Sequence, residues 1–152
     1  NVHIGDVVLA TACVEYDFDT SAVDQWPAGQ LTLPGYEEPM RFLPCGQTLA
    51  HILSRAAEGL SGRAPLGIVA TGDKFVADPH FGDYLQKEFG ALACEMEGGA
   101  IAHACLVNKI PCAVLRTISD NAHDSETVDF VTFAKSSAEK AQQLLRAVLP
   151  QL

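Results

Sequence analysis

Apolar positions along the chain follow two patterns. Residues 2–10, with a β-branched run after a Gly-Asp turn, and the short stretches 66–70, 92–94 and 112–118 each read as a buried β-strand. Between them, apolar residues recur three and four apart, which is the signature of a helix with one buried face. Residues 47–58 place Leu49, Ile52, Leu53 and Ala56 on one side, with Gly59 and Gly62 as stop signals. Asp78-Pro79 opens a second helix that carries Phe81, Leu85 and Phe89 and ends at Gly90. Residues 97–108 form a slim helix built on Gly98, Gly99, Ala100, Ala102 and Ala104, closed by Asn108-Lys109-Ile110-Pro111. The last helix carries a stripe from Phe130 through Phe133, Ala134, Ala138, Ala141, Leu144 and Leu145 to Val148.

Two stretches break these patterns. Residues 11–44 mix acids, aromatics, prolines, Gly29 and Gly35, with an edge piece at residues 31–33, and read as a long loop. Ordinary surface loop and substrate-covering lid are both open readings of it. Residues 121–127 are polar loop. Strands alternating with helices predict an α/β fold with a central mixed sheet flanked by helices in three layers. On that layout the strand ends at residues 71–76, 95–97 and 119–120 meet at one rim, where ligand sites of open α/β sheets lie.

Composition narrows the classes. At 152 residues and 48% hydrophobic, the chain suffices for one domain with a real core. A formal charge of -9 with scattered Lys and Arg argues against a nucleic-acid surface. No apolar run is long enough to span a bilayer, and no signal-type segment precedes the first strand. Five cysteines without paired spacing, Cys94, Cys105 and Cys112 among them inside apolar runs, fit reduced core thiols and a cytoplasmic protein. Neither a P-loop nor a G-x-G-x-x-G occurs, which disfavours a nucleotide held by its phosphates. His3, His51, His80, His103 and His123 show no metal-ligand spacing, and His51 and His103 read as structural residues within helices.

The candidate chemistry lies between Cys94 and Asp120. Glu95, Glu97 and Asp120 stand with Arg116 around an apolar helix and strand, where an ionised carboxylate is costly unless paired. Helix-end acids and a capping Ser119 or Asp120 are the structural reading of the same residues. Acids on either side of Met96 leave at least one pointing inward. Phe75 as core and Arg116 as a structural ion pair are likewise open, and Lys74 reads as a solvated loop residue.

Gly72-Asp73-Lys74-Phe75-Val76, Glu95-Met96-Glu97-Gly98 and Ser119-Asp120, in this order and spacing, resemble the nucleoside phosphorylase/hydrolase superfamily, above all its bacterial 5'-methylthioadenosine/S-adenosylhomocysteine nucleosidases. The resemblance implies a nucleoside phosphorylase-like fold, with residues 1–152 as the C-terminal major part of a single domain. It also implies hydrolysis of the N-glycosidic bond to release adenine and the thioribose in methionine salvage, without cofactor or metal. By the same resemblance Phe75 stacks on adenine, Val76 reads the base edge through its backbone, Met96 packs under the ribose and Glu97 accepts from its hydroxyls. Glu95 with Arg116 helps position the attacking water, and Asp120, oriented by Ser119, protonates the leaving base. The chemistry agrees, because breaking this bond puts negative charge on the base and cationic character on the sugar.

Three further expectations follow from the resemblance. The first is a homodimer whose neighbour closes the pocket around the 5'-substituent. Another is an N-terminal segment or chain that supplies the water-activating carboxylate, so residues 1–152 alone are expected to turn over little. His123, where an acid is frequent, leaves substrate preference open in that corner. A purine nucleoside phosphorylase, an aminofutalosine hydrolase, and a non-catalytic nucleoside-binding half that needs a partner chain are the alternatives.

Overall fold

A computed structural model of the chain describes residues 2–119 and 130–151. Its frame is a five-stranded mixed sheet organised on β1 (Val7–Glu15). On one edge β1 pairs in parallel with β3 (Leu66–Thr71), which pairs in parallel with β4 (Ala91–Glu95). Its other edge is shared by two antiparallel partners, β5 (Leu115–Thr117) beside Val7–Leu9 and β2 (Leu43–Pro44) beside Ala12 and Cys13.

Helices cover both faces. The helices α2 (Gln47–Ser61) and α5 (Phe130–Val148) pack on Val7 and Leu9 through Leu53, Ala57, Leu144 and Val148. Farther along the same face of β1, α3 (Pro79–Phe89) meets Val14 and Tyr16 through Leu85 and Phe89. The opposite face holds Val8, Ala10 and Cys13 under α4 (Gly98–Val107), with Ala102 and Val114 in the same cluster. A strand alternates faces every second residue, so Ala10 and Cys13 share one only because β1 carries an extra residue between Ala10 and Ala12. That shift carries Cys13 and Glu15 to the α4 side.

Most predicted elements are present with different bounds. The first strand starts at Val7 and continues to Glu15, because residues 7–14 stay buried throughout apart from Thr11. The strand expected over residues 112–118 is hydrogen-bonded as a strand only at Leu115–Thr117. The second helix runs through Gly59 and stops at Gly62, whose φ of +81° is a left-handed conformation that favours glycine. Asp78 caps α3 as expected, accepting from the His80 N–H at 3.0 Å with Pro79 in the first turn. Residues 11–44, read as a long loop, are partly regular structure, with β1 continuing into them as far as Glu15. Leu31 and Leu33 are core residues, a short helix α1 (Ser21–Asp24) lies within the stretch, and none of it lines the cavity described below.

The cysteines also differ from expectation. Cys13 and Cys45 are the buried thiols, while Cys94 is exposed and Cys105 and Cys112 are half-buried. Burial, followed by the neighbouring Cys105, pushes the Cys112 thiol up to about 11, so it stays protonated at neutral pH. His51 is exposed on α2 rather than packed among its apolar residues. Among the described residues no helix is long and apolar enough to cross a membrane.

Leu9 is fully buried and aligned with Leu66 on one side and Leu115 on the other, so it ties the parallel and antiparallel halves together. Leu9→Ala is expected to lower the unfolding free energy by about 2–5 kcal/mol, measured by urea denaturation.

Candidate active site

The strands β1, β3 and β4 are parallel, and their last residues, Glu15, Thr71 and Glu95, are aligned partners across the sheet. All three engage α4. The Glu95 carboxylate accepts through Oε2 from the N–H groups of Glu97 (3.1 Å) and Gly98 (2.7 Å), and the Thr71 hydroxyl accepts from Gly99 N–H (2.7 Å). Glu15 Oε1 stands 2.9 Å from His103 Nδ1 one turn farther along the helix. A helix leaves its first N–H groups without internal partners and carries positive charge at that end, so an anion and a hydroxyl suit the place. The approach is close enough to need glycine. A Cβ on Gly99 would lie 2.7 Å from Thr71 Oγ1, and one on Gly98 would lie 2.8 Å from Val114 Cγ1.

Arg116 reaches this point from β5, on the far edge of β1. The contact joins strands that are not neighbours, since β1 and β3 separate β5 from β4 in the sheet. Arg116 Nε donates to Glu95 Oε2 at 2.9 Å, and its Nη2 contacts the same oxygen and donates to Glu97 Oε2 at 2.8 Å. On the other carboxylate oxygen, Oε1, Glu95 accepts from the Thr71 hydroxyl. Side-chain exposure grades outward from 7% at Glu95 to 35% at Arg116 and 63% at Glu97. Burial alone would raise the Glu95 carboxyl. Hydrogen bonds from Thr71, Arg116 and the Gly98 and Glu97 N–H groups outweigh it and hold the carboxyl below its ordinary value.

Beside this network opens a cleft of about 700 Å³, within the usual range for small-molecule sites. Phe75, Val76, Met96, Glu97, Arg116 and Ser119 contribute to its lining. Phe75 is 72% exposed and Met96 43%, so two large apolar side chains face the opening instead of the core. The loop that carries Phe75 is pinned from behind. Asp17 accepts from Asp73 N–H at 2.6 Å, and the Tyr16 hydroxyl donates to the Lys74 carbonyl at 3.5 Å. Lys74 places its ammonium 4.9 Å over the Phe81 ring, on the loop side of the site. An aromatic face, an apolar thioether and a carboxylate steadied by an arginine suit a ligand with a flat ring and hydroxyl donors.

A family model described as the phosphorylase superfamily matches residues 1–150. The chain belongs to the phosphorylase superfamily. It is 32% identical over its whole length to an aminodeoxyfutalosine nucleosidase of Helicobacter pylori strain J99, spanning 64% of that protein. It is likewise 32% identical, over 98% of its length, to a 5'-methylthioadenosine/S-adenosylhomocysteine nucleosidase of Shewanella frigidimarina, spanning 63% of it. The crystal structure of the Campylobacter jejuni 5'-methylthioadenosine/S-adenosyl homocysteine nucleosidase superposes with a TM-score of 0.87 at 33% identity, over 99% of this chain and 63% of that one. The chain therefore spans under two-thirds of the length of the curated relatives it matches.

Of the residues singled out in the sequence of this superfamily member, Phe75, Val76, Glu95, Met96, Glu97, Arg116 and Ser119 all border one cleft. Asp120 lies outside the described residues. The expectation of three strand ends at one rim needs correction. The strands β3 and β4 end together, but β5 is antiparallel to β1, so Ser119 reaches the cleft from the other direction. Of the acids flanking Met96, Glu95 points inward and Glu97 outward. The sequence placed Thr71 in the polar strand end at residues 71–76 without giving it a role, and it left Glu15, Tyr16 and Asp17 unmarked. The available signal was a polar residue closing an apolar run, at Thr71 after 66–70 and at Glu15 after Val14. Among the described residues no group of three His, Cys, Asp or Glu could hold a metal ion.

Glu95 also makes the fold acid-sensitive. A carboxyl lowered on folding contributes its stabilisation above the ordinary value of 4.5 and loses it as the pH falls through its folded value. Glu95→Gln is expected to cost about 2–3 kcal/mol at pH 7, under the range for a fully buried pair because Arg116 is partly exposed. Unfolding measured between pH 7 and pH 3 should show the variant losing less stability on acidification than the parent chain.

Proposed function

We propose that this chain is the C-terminal major part of a single nucleosidase domain that hydrolyses the N-glycosidic bond of 5'-methylthioadenosine and S-adenosylhomocysteine, releasing adenine and the thioribose. The observation that carries the reading is the pairing of an exposed aromatic, Phe75, with an exposed carboxylate, Glu97, across one cleft beside a buried Glu95 and Arg116. Phe75 is the platform on which adenine stacks, and the Val76 backbone reads the base edge. Met96 lies under the ribose, and Glu97 accepts from its hydroxyls. Glu95 is held ionised, so it does not take a proton. It keeps Arg116 in place, and Arg116 turns its guanidinium toward the sugar side, where it positions the attacking water. Asp120, with Ser119 beside it in sequence, is the general acid for the leaving base.

The wider reading is a cytoplasmic enzyme of methionine salvage, active as a homodimer, with the catalytic carboxylate for water supplied outside residues 1–152. Exposed apolar side chains at Val23, Ile101 and Ile110 support a second copy as partner, and five free cysteines support a reducing compartment. A second substrate stands beside the first. The similarity to an aminodeoxyfutalosine nucleosidase equals that to the methylthioadenosine enzyme, and the cleft described here reads only base and ribose.

Free adenine released from 5'-methylthioadenosine, S-adenosylhomocysteine and aminodeoxyfutalosine, each with and without phosphate, tests the reading. Release without phosphate by the full-length protein supports hydrolysis, and a strict phosphate requirement overturns it in favour of phosphorolysis. Phe75→Ala is expected to weaken 5'-methylthioadenosine binding roughly tenfold, the scale of one base-aromatic stack, with far-UV circular dichroism unchanged.

A further inference from the structure

Between the buried sheet and the exposed ligand side, each polar group of the site has a fixed donor or acceptor role. The Gly99 N–H can only donate, and it donates to the Thr71 oxygen. The single hydroxyl hydrogen of Thr71 is therefore directed at Glu95 Oε1. On the other oxygen, Oε2, Glu95 accepts from Glu97 N–H, Gly98 N–H and two nitrogens of Arg116. Among the hydrogen bonds described, Thr71 is what fixes Oε1. The final torsion of a glutamate is broad, and without a donor on Oε1 the carboxylate plane is free to turn. Turning it breaks the paired approach of Arg116 Nε and Nη2 and leaves Arg116 held by its existing contact to Glu97 Oε2, 2.8 Å away.

We propose that Thr71 is a positioning residue of this site: by locking the plane of the Glu95 carboxylate it sets Arg116 and, through Arg116, leaves the Glu97 carboxylate oriented for the ribose hydroxyls. The proposal rests on the nucleoside reading for what Glu97 meets, but the Thr71 to Glu95 link stands on geometry alone. Thr71 is buried, is not among the residues that line the cleft, and is locked in turn by the glycine at position 99, since a Cβ there would lie 2.7 Å from its oxygen. The charged and titratable groups around Glu95 are Arg116 from β5, Glu97 at the start of α4, Cys13 on β1, and Glu15 with its partner His103. Among the described residues Arg116 is the one cation paired with it, so the Thr71 hydrogen bond, with those of the Gly98 and Glu97 N–H groups, counts in keeping the carboxyl below its ordinary value, against the burial that raises it.

The test compares Thr71→Val with Thr71→Ser in the full-length protein, with Thr71→Ala as a second hydroxyl-free variant should valine disturb folding. The Glu95 titration is read by carbon NMR on carboxyl-labelled glutamate, assigned with Glu95→Gln, and the affinity for 5'-methylthioadenosine is read by calorimetry from pH 4 to pH 8. The expected result is a Glu95 titration displaced to higher pH in the valine and alanine variants. Affinity at pH 7 should fall roughly tenfold, the scale of one hydrogen bond to a charged group. Serine should restore both. Hydroxyl-free variants that stay folded and titrate as the parent does would overturn the proposal, as would a serine variant that behaves like valine. Absence of nucleoside binding in the parent protein would instead overturn the nucleoside reading, and the titration would still decide the part of Thr71.

Discussion

Everything in this site depends on burying one carboxylate, that of Glu95, against the first turn of a helix. An ionised group loses its hydration there, and the loss is offset only if several donors converge on it at once. They come from three elements: a hydroxyl at the end of β3, two N–H groups at the start of α4, and a guanidinium from β5. Each donor constrains the element that carries it. The helix must begin within hydrogen-bond distance of the strand ends, which is why Gly98 and Gly99 stand where any side chain would collide. The far edge of the sheet must bring Arg116 within reach of the end of β4. The buried anion thus acts as a local organiser, holding in register pieces of chain up to 45 positions apart, from Thr71 to Arg116.

From that point the site opens outward in graded steps. Glu95 is shut off from solvent, Arg116 is partly open and Glu97 faces the cleft, so one guanidinium links a structural acid to a ligand-facing one. The arrangement separates tasks that one carboxylate could not combine. A carboxylate saturated with donors is rigid and stays ionised, and one with spare lone pairs is free to accept from a ligand. A similar division holds across the cleft, where Phe75 lies open while Tyr16 and Asp17 hold its loop from the core side. Exposed apolar side chains are costly in water, and a rigid backing keeps them from folding into the core when the cleft is empty.

The helix α4 serves both tasks. Its inner face carries Ala102 into the core over β1, its start receives the ends of β3 and β4, and His103 one turn on meets the end of β1. Its outer face is apolar too, with Ile101 exposed at the surface. A helix without a polar face is normally covered on both sides.

The sequence by itself determined the layers, most of the elements, and the residues that border the cleft. Alternating apolar runs and helical stripes specify strands and helices through periodicity alone, and the Phe75, Glu95 to Glu97 and Ser119 motifs carried enough residue identity to mark the site. What it left undecided was direction and depth. The last apolar run carries no mark of its direction, and β5 is antiparallel to β1 because strand pairing is settled by which edge of β1 remains open, which no local pattern encodes. Likewise the extra residue in β1 between Ala10 and Ala12 turns Cys13 and Glu15 to the α4 face, which simple alternation would have assigned to the other side. Thr71 looks like an ordinary strand end until Glu95 and Gly99 are placed beside it. A hydroxyl acquires its role from the partners that tertiary packing brings within 3 Å, and those partners lie 24 and 28 positions away in the chain.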